Sequence, residues 1–225
     1  MAAKNVFSFL RITACEVLFI LLIFSMNAFA SQSVVYIDPS AEINGDGSSG
    51  LPATGTGSPG AYNTWRGISI NPNTAYYQKC QTEFVIDYTF DISAVGTASN
   101  PIVFGAYYLD GDREIIGVQG QKPIIRRNPS TGYALYIWGS KYLGFKDMDI
   151  RGGYCSVTLQ GASHISFDNC TIGNYATTYG LLITGKIIDE SYVESNYGEI
   201  MNCVLDPNGG NAGDGIKLTN GASYW

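Results

Sequence analysis

The chain contains one histidine, His164, in 225 residues. A multi-histidine metal centre is therefore excluded, and a catalytic triad would have to use that single imidazole. Charged residues are only 14% of the chain, there is no run of lysine or arginine, and the formal net charge is −6. Nucleic-acid binding rests on basic side chains neutralising phosphates, so this balance argues against a nucleic-acid partner. Five cysteines are present, but no CxxC and no zinc-type spacing. Beyond residue 30 no apolar run is long enough to cross a bilayer, and no amphipathic helix of useful length can be read. What the chain does have is glycine, tyrosine, threonine, serine and asparagine, a composition that favours strands and turns.

The first thirty residues stand apart. Lys4 and Arg11 precede the ten-residue apolar run Val17–Met26, which is followed by Ala28-Phe29-Ala30. A positive start, a short apolar stretch and a small-x-small site describe a secretory signal peptide, with cleavage expected after Ala30. The run is too short for a stable membrane span. Its removal takes away Lys4, Arg11 and Glu16, which moves the formal charge from −6 to −7. The expected location is secreted, cell-surface or periplasmic. Cys80, Cys155, Cys170 and Cys203 remain, and an oxidising space would permit disulfides.

Residues 31–80 read as a short strand at Val34–Ile37, a Gly/Ser/Pro-rich loop over 44–60, and a cap region. Two motif matches in that loop carry nothing. "GDGSSG" at Gly45–Gly50 fits GxGxxG without a following helix, and "LPATG" at Leu51–Gly55 is far from the C-terminus where a sortase signal sits. From Glu83 the chain becomes strand-like, in "EFVIDYTFDI", "NPIVFGAYY" and "KPIIRR", with Pro101 and Pro123 at strand starts.

A repeat then emerges. "GSKYLGFKDMDI" from Gly139 lines up with "GASHISFDNCTI" from Gly161, about 22 residues on. Leu143 falls on Ile165, Phe145 on Phe167, Met148 on Cys170 and Ile150 on Ile172. A third unit ends in "EIMNCVL" and carries an insertion of about ten residues around "KIIDESYVESNY"; a fourth begins at "DGIKLTNGASYW". One such unit cannot bury its apolar side alone, whereas stacked units can, so only the inward positions need keep their character. A coil this short has no room for a helix and fits a parallel β-helix, each coil adding about 4.8 Å of rise. The expected columns are Phe145–Phe167–Ile200, Met148–Cys170–Cys203 and Ile150–Ile172–Leu205, with Asp147–Asn169–Asn202 stacked at a bend. Leu143 and Ile165 meet Gly198, which leaves the third-coil register less secure. Cys170 and Cys203 would face inward in neighbouring coils. A disulfide fits that spacing, but parallel side chains strain the bridge.

The opening "VVYIDPS…NGDGSSG…NTW", the "NPIVFGAY…KPII" segment and the coils from Tyr133 resemble right-handed parallel β-helix proteins of the pectate-lyase-like superfamily. The resemblance covers about residues 33–225 and implies an all-β solenoid, with coils over 81–225. It also implies polysaccharide as the partner, by lyase or glycosidase chemistry, with Ca2+ as a potential cofactor; the alternative is a non-catalytic glycan-binding or adhesive surface protein. Lyase chemistry needs clustered carboxylates and a base. The catalytic candidates are Asp149 with Arg151, Asp168 one coil on, and Asp214 with Lys217. Tyr136, Trp138 and Tyr154 are outward aromatics suited to stacking on sugar rings. His164 shares a column with Tyr142 and Tyr224 and reads as structural. "GGNAGDGI" at Gly209–Ile216 resembles a single calcium-binding nonapeptide with Ala212 in place of glycine. Trp225 falls at the start of a strand, so the coil end is open. The expectation is an N-terminal part of a longer protein, with catalytic coils beyond Trp225, or else a capping subunit. Intact-mass measurement of the protein exported by its native host is expected to show residues 1–30 removed; a mass retaining them would exclude cleavage.

Overall fold

The computed structural model describes residues 32–128, 130–173, 179–188, 191–206 and 214–225. The expected signal peptide, residues 1–30, lies outside them, as does most of the "GGNAGDGI" stretch. The chain divides into Met1–Gln32 and Ser33–Trp225, and all that follows concerns the second unit.

Among the described residues there is no helix. Three sheets of parallel strands recur along the unit, the first also carrying the antiparallel strand Arg113–Ile116. The first is built from Ser33–Ile37, Thr74–Lys79, Ile102–Asp110, Lys141–Lys146 and Ser163–Asp168, continued by Ser195–Asn196, Glu199–Met201 and Ala222–Ser223. The second holds Glu83–Ile86, Ile124–Arg127, Asp149–Gly152, Thr171–Gly173 and Val204–Asp206. The third holds Phe90–Ile92, Tyr133–Trp138, Cys155–Gln160, Tyr179–Thr184 and Asp214–Leu218. The chain visits first, second and third sheet in turn and then starts again one strand further along: a right-handed parallel β-helix. Ser33–Ile37, where a short strand was expected, and Thr74–Lys79, within the segment expected as cap, both extend the same first sheet.

The register explains the repeat. Leu143 pairs with Ile165, Phe145 with Phe167 and Ile150 with Ile172, while Ile200 and Leu205 continue those columns in the next coil. In-register parallel strands place like side chains above one another at the interstrand spacing. Phe104, Phe145 and Phe167 therefore stack face to face, with ring centroids 4.8 and 5.0 Å apart. Ile37, Trp65, Leu135, Val157, Leu159, Leu181 and Ile183 belong to the same buried core.

Two side-chain columns shape the corners. Asp147, Asn169 and Asn202 all adopt left-handed backbone, with φ of 61°, 50° and 54°. Asn169 Nδ2 donates to Asp147 Oδ1 at 2.6 Å, as expected of a stacked column, but Asn202 Nδ2 instead reaches Asp168 Oδ1 at 3.0 Å. Tyr142, His164, Tyr197 and Tyr224 are also left-handed, with φ between 54° and 56°. Such backbone costs a non-glycine residue about 1–2 kcal/mol. The four rings form one ladder with centroids 4.4, 5.2 and 5.0 Å apart, and each pair returns about 0.5–1.5 kcal/mol. Tyr197, hidden by the insertion in the sequence, is its missing rung.

Gly198 resolves the uncertain register. A Cβ there would fall 1.9 Å from the Trp225 ring, so the glycine makes room for that indole, whose Nε1 donates to Ser195 O at 3.0 Å. The insertion itself is an antiparallel hairpin, Lys186–Ile188 with Ser191–Val193, placed at the corner between the third and first sheets. Phe145→Ala, which empties the middle of the ring column, is expected to cost about 3–5 kcal/mol in a urea unfolding titration; a loss below about 1 kcal/mol would mean that the column is not a central packing element.

Candidate functional site

The outward face of the third sheet carries two of the three aromatics that the sequence pointed to, Tyr136 and Trp138. Leu135 and Ile137 are buried, so alternation turns Tyr136 and Trp138 outward. Register places Asp91, Tyr136, Thr158, Leu182 and Lys217 in one row across five strands, and Trp138, Gln160 and Thr184 in a second. The Tyr136 hydroxyl donates to Gln160 Oε1, which holds the ring against its neighbour Tyr133 at 5.4 Å.

The corner hairpin adds a cation. Lys186 Nζ lies 4.3 Å from the Trp138 ring centroid and 5.6 Å from that of Tyr136, and donates to the Tyr136 hydroxyl at 3.3 Å. An ammonium over an aromatic face is attracted by the ring quadrupole. Among the described residues Lys186 has no carboxylate within ion-pair distance. Asp91 lies in the same field: desolvation holds its carboxyl above the ordinary value, outweighing the opposite pulls of Arg127 and Lys186. Lys217 Nζ sits 5.3 Å from the Tyr179 ring, repeating the cation-on-ring arrangement further along the sheet. Lys186 and Asp91 carried no signal in the sequence reading. The insertion was visible, but nothing in it showed that its first residue folds back onto a strand fifty positions earlier.

The other candidates are dispersed. Asp149 and Arg151 share a strand of the second sheet and bind each other: Arg151 Nε donates to Asp149 Oδ1 at 2.6 Å, and Nη2 contacts Oδ2. The Asp149 side chain is 6% exposed, so this candidate carboxylate is covered, and Arg151 is held charged by that pairing. Asp168 lies on the first sheet, 3.9 Å from Lys146 and bonded to Asn202. It borders a groove of about 300 Å³ whose floor is Gly144 and Ser166 and whose rim includes Tyr142, His164 and Lys146. His164 is clamped between Tyr142 and Tyr197 there, consistent with a structural role. Asp214 contributes backbone pairing to Tyr179; its side chain lies outside the described residues. Tyr154 sits in the turn between second and third sheets, 44% exposed, not on the aromatic face.

A calcium site needs several oxygen ligands converging on one point. Among the described residues no three His, Cys, Asp or Glu side chains come together in that way, and both oxygens of Asp149 are taken by Arg151. The described residues therefore do not fit the cation that the resemblance implies. Among them, too, no helix is long and apolar enough to cross a membrane.

No protein-family model and no curated protein matches the chain. Solved structures do. The chain is similar to pectate lyase Pel9A, with a TM-score of 0.55 and 17% identity over 86% of this chain and 47% of that one. It is similar to the GH136 lacto-N-biosidase from Eubacterium ramulus, with a TM-score of 0.56 and 14% identity over 82% of this chain and 36% of that one. The likeness shows the fold, a parallel β-helix. The chain spans less than half the length of either protein.

Arg151→Ala would strand the Asp149 carboxylate in a covered position. The expected cost is about 3 kcal/mol, near the low end for breaking a buried pair because Arg151 keeps contact with water. Chemical denaturation measures it, and a loss under about 0.5 kcal/mol would show that the pair is an ordinary surface contact.

Proposed function

We propose that the chain binds polysaccharide along the outward face of its third sheet, as an exported protein. The observation that carries this reading is Lys186 resting on Trp138 and Tyr136. Aromatic faces pack against the apolar faces of sugar rings, and a cation beside them suits a glycan bearing carboxylates. A flat face of parallel strands offers such contacts at a regular repeat, which fits an extended polymer. The fold is shared with proteins named a pectate lyase and a lacto-N-biosidase, which supports a carbohydrate ligand. Export is supported by the N-terminal pattern of residues 4–30.

Two readings of the outcome after binding differ in class. In the first, the protein cleaves the polymer by lyase or glycosidase chemistry. In the second, it binds without turnover. The second is favoured by one observation: Asp149 and Arg151 neutralise each other, and Asp168 is engaged by Asn202 and Lys146, so none of the three stands free as an acid or base.

Affinity electrophoresis through gels containing polygalacturonate, alginate or a neutral glucan separates these effects. Trp138→Ala is expected to weaken binding roughly tenfold, about 1.4 kcal/mol, on every glycan retained. Lys186→Met is expected to weaken it only on the acidic polymers. Retention by Trp138→Ala equal to that of the wild type would remove the reading. Release of ultraviolet-absorbing unsaturated product from an acidic polymer would decide for lyase chemistry over simple binding.

A further inference from the structure

Cys170 and Cys203 occupy one niche in successive coils. Each stands one residue before a second-sheet strand, Thr171–Gly173 and Val204–Asp206. Each sulfur lies near the carbonyl two residues before it, Asp168 O at 3.5 Å and Met201 O at 3.1 Å. Each also reaches a carbonyl of the coil beneath, Phe145 O at 3.4 Å and Phe167 O at 3.6 Å. Thr171 pairs directly with Val204, which sets the two cysteine α-carbons about 4.8 Å apart. That lies within the span of about 4.4–6.8 Å that a disulfide bridges.

Parallel side chains would strain such a bond, but these two are not simply parallel. The Cys170 backbone N–H donates to Cys203 Sγ at 3.4 Å, so the Cys203 sulfur leans onto residue 170. Access is unequal: Cys170 is fully buried and Cys203 is partly exposed. Chemistry is unequal too. A hydrogen bond from the Cys170 thiol favours the Cys203 thiolate and draws its pKa down, while the same bond and burial hold Cys170 above its ordinary value. Lys122, anchored on Asn169 Oδ1 at 3.1 Å, adds positive charge beside the pair. Burial pushes the other two thiols, Cys80 and Cys155, upward.

We propose that Cys170 and Cys203 form a redox-responsive dithiol that closes to a disulfide between two coils by exchange with a small-molecule disulfide. The partly exposed Cys203 sulfur attacks one sulfur of that reagent; its S–S bond breaks and one thiolate leaves. The mixed disulfide on Cys203 no longer carries the charge that kept Cys170 protonated. Cys170 releases its proton and attacks the Cys203 sulfur, expelling the second thiolate. Two electrons pass from the protein to the reagent, and the two protons end on its two thiols. Closure would pin the coil that carries the hairpin to the coil beneath it.

The full chain, reduced and then incubated with oxidised glutathione, provides the test by intact mass and by peptide mapping after alkylation. The expected product lacks the mass of two hydrogens, yields a Cys170–Cys203 cross-linked peptide, leaves Cys80 and Cys155 as thiols, and reverts with dithiothreitol. Cys170→Ser is expected to stop with one glutathionyl group on Cys203, and Cys203→Ser to remain unmodified. A wild-type protein that keeps a glutathionyl group on Cys203 without closing, or that does not react, overturns the proposal. The wild-type result decides the matter even where a serine variant fails to fold.

Discussion

Everything in this molecule depends on parallel strands held in register at a single spacing. Backbone hydrogen bonds between coils fix that spacing, and the side chains inherit it. A phenylalanine above a phenylalanine is then at stacking distance without further adjustment. The same spacing puts an amide above a carboxylate at a corner and a ring above a ring along the Tyr142 ladder. It also brings two thiols into one niche. The core is a set of columns, and each column is a one-dimensional packing problem solved once and reused.

The outward faces follow a different logic. Inward positions are constrained by the columns; outward ones are free to differ from coil to coil. The second sheet uses that freedom for mutual neutralisation, with Arg126 on Glu83 and Arg151 on Asp149. The third sheet uses it for half-buried outward rings and cations, Lys186 over Trp138 and Lys217 over Tyr179. Paired charge has little left to offer a ligand, whereas outward rings with a cation resting on them do.

The columns were legible in the sequence because periodicity reports the register directly. Phe145 on Phe167 and Ile150 on Ile172 needed only an interval, and alternation then turned Tyr136 and Trp138 outward. What could not be read was contact between parts of different coils. Lys186 acts on residues about fifty positions earlier because a hairpin turns back, and hairpin direction leaves no periodic trace. Asp149 was readable as a candidate carboxylate beside Arg151, but not that Arg151 folds over it and covers it. Tyr197 was lost to the same insertion that shifted the interval. Handedness and superfamily rested on resemblance, since an interval is the same for either hand.

The hairpin at the corner between third and first sheets has a wider meaning. The chain lengthens there, yet Ile200 still lands on Phe167 and Leu205 on Ile172. The scaffold therefore treats a corner as a port: added sequence is absorbed outside the columns and leaves the rungs on either side in place. A solenoid of this kind can acquire new surface chemistry by growing at its corners, at the modest entropic cost of a longer loop and with no renegotiation of its interior.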